Sequence, residues 1–314
     1  MKTAFLFPGQ GAQVVTMGKE IAEAFPAVAE IFEKANSIVG FDLSRICFEG
    51  PPEQLNTTTI SQPAIFVTSA AILEVLKTNP SAQSLRPDVT AGLSLGEYSA
   101  LYAAGLISFE DALLLVQKRG QAMQAAADAT DGGMVGIIGL DEEKINQLCA
   151  EASDGEILAA VNFNCPGQIV ISGSKPACGR AQELAAKYGA IKAVRLEVAG
   201  AFHTQMMSGA ADVLKEALAS CDISEPADIK VIANINADYY ENAEKIAQGL
   251  TKQLTCPILW QKCMQKLIAD GVENFYEIGP GRVLTGLMKR ISRKTKVVNL
   301  SNIQAINELL KVQV

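Results

Sequence analysis

The chain alternates short apolar runs with longer stretches in which apolar residues recur at helical spacing. AFLF (residues 4–7) and DVTAG (88–92) predict buried strands, and each leads into a glycine-containing turn. Strands alternating with helices predict an α/β fold, with a parallel sheet and helices on its faces. The runs expected to complete this sheet come late in the chain: IKVIANIN, NFYEIG and KVVNL.

The helical segments carry recognisable start and stop signals. Ser61 is a candidate N-cap, with Pro63 in the first turn that follows it. Ser108 is spaced from Asp111 as in a capping box, and Gly105 is a typical residue to end the preceding helix. Helices are therefore expected at about residues 15–35, 62–77, 95–105 and 108–127.

A break at Asp131-Gly132-Gly133 introduces a different pattern. The next segment reads strand–helix–strand–strand–helix–strand, which is the order of a ferredoxin-like unit. Its last strand is expected at Val194–Val198, where the residues alternate strictly. We therefore predict a ferredoxin-like subdomain at residues 130–200, inserted into a larger domain formed by 1–129 and 201–314.

Composition excludes several classes of protein. A net charge of −7 and a pI near 5.0 argue against a nucleic-acid partner. No uninterrupted apolar run approaches the roughly 20 residues that span a bilayer, and the opening segment is too short for a secretory signal. The seven cysteines form no Cys-x-x-Cys pair, and with a single histidine no metal-ligand cluster is expected. We expect a cytoplasmic protein without a metal, with no membrane partner.

The segment GLSLG (residues 92–96) carries the first candidate chemistry. In a nucleophile elbow, glycines two residues before and after a serine let the backbone turn sharply between a strand and a helix, which exposes the hydroxyl. Ser94 has this spacing and context, which favours an α/β-hydrolase-like large domain. The motif is also compatible with an ordinary tight turn.

His203, the only histidine, is the candidate base for Ser94. A serine hydroxyl is a poor nucleophile until a base takes its proton, and imidazole titrates in the right range. The residue follows the last strand of the insert, where the chain returns to the large domain and where an inter-domain cleft is expected. A hydrogen-bonded structural histidine is the alternative.

The turn after the first strand, FPGQGAQ (residues 7–13), has two possible functions. Val14 stands where a dinucleotide-binding fingerprint needs its third glycine, so that interpretation fails. A backbone N–H from such a turn is the usual second donor of an oxyanion hole, beside the N–H of the residue after the nucleophile, here Leu95.

Seven segments, in order, resemble those of malonyl-CoA:acyl carrier protein transacylases and of the acyltransferase domains of fatty acid and polyketide synthases. The resemblance covers essentially the whole chain, including the insert. The segments are FPGQGAQ, QPAI, GLSLGEY, KRGQAMQ, NFNCPGQIVISG, AFHT and YEIGPGRVLTGL.

The resemblance implies ping-pong transfer of a malonyl group from malonyl-CoA to the phosphopantetheine thiol of an acyl carrier protein, through a malonyl ester of Ser94. His203 is then the base, and the backbone N–H groups of Gln10 and Leu95 form the oxyanion hole. Arg119 matches the arginine that binds the malonyl carboxylate. A backbone carbonyl, expected at Leu259, orients the histidine. No permanently bound cofactor is implied.

The same resemblance implies a set of pocket residues. Phe202 stands where malonyl-selective relatives carry phenylalanine, and a bulky ring would disfavour an α-methyl branch. Met123 lies one helical turn after Arg119 and could line the acyl pocket or simply pack in the core. The remaining candidates match family positions: Gln62, Asn164 and Gln168.

Three functions are compatible with these residues. Transfer to a carrier protein is expected, by a chain that functions as a monomer. A serine hydrolase or thioesterase with the same Ser-His pair is one alternative, and a free-standing polyketide synthase acyltransferase is another. A non-catalytic acyl-binding protein is disfavoured because Ser94, His203 and Arg119 are all present.

Overall fold

The computed structural model describes residues 1–82 and 84–312, and within them it has nine strands and fourteen α-helices. The strands are β1 Lys2–Phe7, β2 Val89–Gly92, β3 Gly132–Ile138, β4 Leu158–Cys165, β5 Gln168–Ser174, β6 Lys192–Arg195, β7 Lys230–Val231, β8 Val272–Ile278 and β9 Val297–Leu300. The helices are α1 Lys19–Ala24, α2 Pro26–Val39, α3 Leu43–Glu49, α4 Pro52–Leu55, α5 Thr58–Thr78, α6 Gly96–Ala103, α7 Phe109–Asp128, α8 Glu142–Ser153, α9 Lys175–Leu184, α10 Ser208–Leu218, α11 Ala243–Gln253, α12 Trp260–Ala269, α13 Val283–Ile291 and α14 Ile303–Val312. Two short 3-10 helices cover Pro80–Ala82 and Gln205–Met207.

The larger sheet has five parallel strands in the order β7-β2-β1-β8-β9. Alternate residues of the central strand β1 face opposite layers: Phe5 and Phe7 pack in the core with α2, α5 and α7, whereas Ala4 and Leu6 pack in the core with α12 and α13. Because side chains alternate across a strand, a strand buried on both faces reads as a continuous apolar run. The expected parallel α/β class is confirmed.

The smaller sheet is antiparallel, with the order β4-β5-β3-β6. Helices α8 and α9 cover one face, where Ile145, Leu148, Cys178 and Ala181 pack on Ile137 and other strand residues. Ser108, Asp141 and Ser174 cap their helices by accepting backbone N–H bonds, as expected from the side-chain oxygens at these positions. The strand order is that of a ferredoxin-like fold.

Backbone hydrogen bonds join the small sheet to the segment before α12, whose Ile258 packs in the core beside the large sheet. The N–H of Phe163 in β4 donates to the Ile258 carbonyl at 2.9 Å, and the N–H of Ile258 donates to Val161 at 2.7 Å. Met134 and Val170 of the small sheet also belong to the core of the large one. A cleft therefore lies between two layers that are held firmly against each other.

Several predicted elements differ in the structure. The helix expected at 15–35 is two helices separated at Phe25, because the residue before a proline, here Pro26, is disfavoured in helical conformation. The last strand of the insert is β6 rather than Val194–Val198, since Leu196 and Val198 turn into the cleft. Of IKVIANIN, only β7 is a strand.

Helix α5 differs in both its start and its setting. It begins at Thr58, with Thr57 rather than Ser61 at the N-cap position, and Pro63 lies inside it. The Ser61 hydroxyl instead accepts a hydrogen bond from Gln10 Nε2 at 3.1 Å. By length and composition α5 could span a bilayer, but 83% of its apolar window is buried within the protein. It is therefore the central helix of the core.

Candidate active site

Ser94 sits on a turn that only glycines at both flanking positions allow. A Cβ on Gly92 would lie 1.8 Å from the carbonyl carbon of Gly96, and a Cβ on Gly96 would lie 2.1 Å from the Phe7 carbonyl oxygen. Ser94 itself has φ 51°, in the left-handed region that non-glycine residues rarely adopt. The strand–turn–helix context of β2 and α6 thus gives Ser94 the geometry of a nucleophile elbow.

The imidazole of His203 lies beside this serine. Ser94 Oγ is 3.0 Å from His203 Nε2, and His203 Nδ1 is 2.7 Å from the Gln253 carbonyl oxygen. Because a carbonyl only accepts, Nδ1 carries the proton and Nε2 is left to accept the serine proton. Burial, together with the positive charge of Arg119, lowers the pKa of His203 to about 4. The neutral, proton-accepting form therefore dominates at neutral pH.

The prediction that Leu259 supplies the orienting carbonyl is wrong. Leu259 is at the N-cap position of α12, where its carbonyl accepts the N–H of Cys263 at 2.9 Å. Gln253 is the last residue of α11, and the final carbonyls of a helix have no partner within it. Its carbonyl is therefore available to His203.

Arg119 reaches the nucleophile from within α7. The side chain is fully buried, with Nη2 2.9 Å from Ser94 Oγ and 3.0 Å from Gln253 Oε1, and Nη1 2.8 Å from Gln62 Oε1. Its Nε has no hydrogen-bond partner within residues 1–82 and 84–312. A buried cation beside a nucleophile favours an anionic group at the reacting centre, because desolvation strengthens the attraction between charges.

The two backbone N–H groups predicted for the oxyanion hole belong to Gln10 and Leu95. Gln10 follows β1 and lines the same cleft as Ser94, and Leu95 is the next residue in the elbow. Among the described residues, neither N–H donates to a protein acceptor. Both are therefore available to a substrate oxygen.

The cleft between the two sheets contains Ser94 and His203 and has a volume of about 170 Å³. Three of the predicted pocket residues line it: Phe202, Asn164 and Gln168. Asn162, which the sequence reasoning missed, also lines it. Within the described residues, the Oδ1 atoms of Asn162 and Asn164 are buried and have no hydrogen-bond partner, which is uncommon for buried polar atoms.

Gln62 and Met123, also predicted to line the pocket, lie outside the cleft. Both are buried, and Gln62 Nε2 is 3.4 Å from Met123 Sδ, while Gln62 Oε1 accepts from Arg119. Their helices α5 and α7 pack together beneath the guanidinium. Gln62 therefore holds the Arg119 guanidinium directly, and Met123 contacts Gln62.

Three further residues that the sequence did not reveal complete the site. Asn234 Oδ1 accepts the Ser94 N–H at 2.6 Å, and Gln253 Nε2 donates to the Ser94 carbonyl at 3.1 Å. Glu97 accepts from both Asn234 and Gln253. Asn234 and Gln253 lie 140 and 159 positions from Ser94, so no local spacing could indicate them.

Comparisons with known proteins find a family and relatives that match nearly the whole chain. The model of a family described as the acyl transferase domain matches residues 4–307. A malonyl CoA-acyl carrier protein transacylase of Bacillus subtilis (strain 168) is 45% identical over 306 residues, covering 97% of this chain and 95% of that protein. The crystal structure of an acyl carrier protein S-malonyltransferase from Vibrio cholerae matches with a TM-score of 0.93 and 41% identity, over 98% of this chain and 100% of that one. A malonyl-transacylase solved in complex with its type II PKS acyl-carrier protein matches with a TM-score of 0.94 and 39% identity, over 99% and 100% of the two chains.

Proposed function

The chain belongs to the acyl transferase domain family, and we propose that it transfers a malonyl group from malonyl-CoA to the phosphopantetheine thiol of an acyl carrier protein. The main observation in support of this proposal is the environment of one atom, Ser94 Oγ. Ser94 Oγ lies 3.0 Å from His203 Nε2 and 2.9 Å from Arg119 Nη2, so a nucleophile contacts both a base and a cation suited to a charged acyl group.

In the first half-reaction, Ser94 Oγ attacks the thioester carbon while its proton passes to His203 Nε2. The new oxyanion accepts hydrogen bonds from the N–H groups of Gln10 and Leu95, each such donor contributing about 2.7–4 kcal/mol of transition-state stabilisation. Collapse of this intermediate breaks the carbon–sulfur bond, and the departing thiolate of coenzyme A takes the proton from His203.

In the second half-reaction, the carrier thiol gives its proton to His203 and attacks the ester carbonyl of malonyl-Ser94. The carbon–oxygen bond then breaks, and Ser94 Oγ regains the proton. Serine supplies the electron pair and imidazole moves the proton, so these steps use no bound cofactor; coenzyme A enters and leaves as part of the substrate.

Arg119 is assigned to the malonyl carboxylate. A planar guanidinium can donate two parallel hydrogen bonds to a carboxylate, and charge-assisted bonds are worth about 1.5–3 kcal/mol each. Phe202, beside His203 in the cleft, is assigned to the discrimination against an α-methyl branch, for which one methyl is worth about 1–3 kcal/mol. Asn162, Asn164 and Gln168 are assigned to the amide-containing arm shared by coenzyme A and the carrier protein.

Transfer is favoured over hydrolysis by the same features. A hydrolase acting on neutral acyl groups has no use for a buried cation at the nucleophile, and the relatives named above are described as transferases. We further propose a cytoplasmic monomer, in which residues 1–129 and 201–314 form the large domain and 130–200 the inserted subdomain. In support of these boundaries, a Cβ on Gly132 would lie 2.6 Å from the Ala201 nitrogen, so the chain leaves and re-enters at adjacent points.

Intact-mass analysis tests the proposal. Incubation with malonyl-CoA should add one malonyl group to the native chain and none to Ser94→Ala, and added carrier protein should remove the group from the native chain with formation of malonyl-carrier. Absence of the adduct on the native chain would refute the transferase function. Loss of the adduct to water, at the same rate with or without carrier protein, would indicate a hydrolase instead.

A further inference from the structure

Glu97 is a buried carboxylate that the steps above do not use. It lies in the first turn of α6, three residues after Ser94, and has no solvent exposure. Its Oε2 accepts hydrogen bonds from Gln253 Nε2 at 2.8 Å and from the Asn234 backbone N–H at 3.1 Å, and its Oε1 accepts one from the Tyr240 hydroxyl. Three donors therefore converge on one carboxylate behind the nucleophile.

Two of these donor residues hold the backbone of Ser94 from both sides. Asn234 Oδ1 accepts the Ser94 N–H, while Gln253 Nε2 donates to the Ser94 carbonyl. A non-glycine residue in the left-handed region costs about 1–3 kcal/mol and persists only where its surroundings enforce it. Asn234 and Gln253 supply that enforcement, and Glu97 fixes both of them.

Gln253 also connects Glu97 to the other two groups of the site. Its Oε1 accepts from Arg119 Nη2 at 3.0 Å, and its main-chain oxygen accepts from His203 Nδ1 at 2.7 Å. A side-chain amide can exchange its oxygen and NH₂ by rotation. An ionised carboxylate only accepts hydrogen bonds, so Glu97 can pair only with the NH₂ group of Gln253. The Gln253 side-chain oxygen then faces Arg119.

The charges reinforce this arrangement. Arg119 and Glu97 are both fully buried, and the Gln253 amide bridges them as an acceptor for the cation and a donor to the anion. The pKa of Glu97 is raised to about 7: burial raises it, and the three hydrogen bonds and Arg119, which favour the anion, offset part of that rise. The other titratable groups that interact with Glu97 are Tyr98, Tyr240 and Cys263.

We propose that Glu97 is a positioning residue for acyl transfer: it fixes the Gln253 amide and the Ser94 backbone, so that Ser94 Oγ stays within reach of both His203 and Arg119. This inference rests on the proposed function. The hydrogen bonds of Glu97 go to Asn234, Gln253 and Tyr240, so it acts through these residues and its contribution belongs in the rate of the chemical step rather than in the binding of malonyl-CoA.

The test compares Glu97→Gln with a matched control, Glu277→Gln. Glu277 is equally buried and accepts from the N–H groups of Leu284 and Thr285 and from Asn299, none of which belongs to the site. Each variant is reacted with saturating malonyl-CoA in a quenched-flow experiment. The first-order rate constant of Ser94 acylation is expressed per active site titrated by the malonyl adduct, so that misfolded protein does not count.

We expect Glu97→Gln to lower this rate constant by about tenfold or more, since small displacements of reacting groups cost up to about 100-fold. The KM for malonyl-CoA should stay within about threefold of the native value, and Glu277→Gln should keep the rate constant within about twofold. A Glu97→Gln rate constant within about twofold of native, as in the control, would overturn the proposal.

A second readout is independent of the proposed function. His203 is the only histidine, so its imidazole gives one assignable set of NMR signals. Glu97→Gln should shift the Nδ1–H resonance, because Gln253 is held by Glu97, and Glu277→Gln should not. An unchanged resonance in Glu97→Gln contradicts the positioning role. If the native chain forms no malonyl adduct, the proposed function fails and this resonance alone decides the role of Glu97.

Discussion

At the scale of single residues, Arg119 has the most specific task. It is an arginine without solvent contact that touches the nucleophile, and its nearest buried carboxylate is bridged to it by Gln253. Such a side chain is costly to bury unless a ligand or a neighbour uses its charge. In the proposed function, a carboxylate on the acyl group is that ligand.

Replacing Arg119 with alanine should therefore act on malonyl groups selectively. We expect the rate of Ser94 malonylation to fall by about 100-fold or more, from the loss of charge-assisted hydrogen bonds, and the rate of acetylation to fall less. Quenched-flow mass spectrometry with malonyl-CoA and acetyl-CoA measures both. Lys118→Ala, an exposed neighbour on the same helix, is the control that should change neither rate. Equal losses for the two acyl groups would contradict the carboxylate role.

His203 should remain neutral well into the acidic range. Its pKa is lowered from 6.5 to about 4 by burial, so between these values the unfolded chain binds a proton that the folded chain does not. Stability therefore falls as pH drops through this window and is fully retained above pH 6.5. Glu97, with its pKa raised from 4.5 to about 7, contributes with the opposite sign, so overall stability is a poor monitor.

The single histidine allows a direct measurement instead. NMR titration of the imidazole should give a midpoint near pH 4 in the folded protein and near 6.5 in urea. A folded-state midpoint above pH 6 would indicate an imidazole less buried than in this structure.

At the scale of elements, the effect of adding a side chain at a glycine depends on the element: it breaks the tight turn around Ser94, but within a helix it changes only the helix propensity. Gly92 ends β2 where any Cβ would collide with the backbone of Gly96. Gly179 lies within α9 with no atom near its Cβ position, so its absent side chain reduces only helix propensity.

Gly92→Ala should destabilise the protein by at least about 3 kcal/mol or prevent folding, because backbone atoms cannot move away as a flexible side chain could. Gly179→Ala should stabilise it by about 0.5–1 kcal/mol. Urea unfolding of both variants and the native chain measures these changes. A Gly92→Ala protein of native stability would show that the turn is not as tight as described.

At the scale of the whole molecule, the two sheets should unfold together. Backbone hydrogen bonds link β4 to Ile258, which packs in the core beside the large sheet, and residues of the small sheet belong to the main core. Trp260, the only tryptophan, is fully buried beside the large sheet, while Cys149 and Cys178 are buried in the core of the small one.

Trp260 fluorescence and thiol labelling of Cys149 and Cys178 should therefore give coincident urea midpoints, as expected for one cooperative transition. Labelling of the two cysteines at lower urea than the fluorescence change would show that the insert unfolds independently.

How much of the protein the sequence determined can be read from particular residues. The continuous apolar run of β1, the glycines around Ser94 and the capping serine Ser108 act locally, so their structures were predicted correctly. The order of elements in the insert likewise determined its antiparallel sheet, because a helix crossover after β3 and another after β5 leave few ways to pair four short strands. The ends of α5 and β6 were predicted less accurately, because local and tertiary contacts compete in determining where these elements begin and end.

What only the tertiary structure decided is the support of the site. The parallel strands β2 and β7 and the end of α11 meet at Ser94, and this brings Asn234, Gln253 and Glu97 together there. Hydrogen bonds between distant parts of the chain cannot be predicted from the spacing of residues in the sequence. The same applies to the carbonyl that orients His203, which comes from Gln253 rather than Leu259. Residue types determined which chemistry was possible, whereas packing decided which atoms are close enough to perform it.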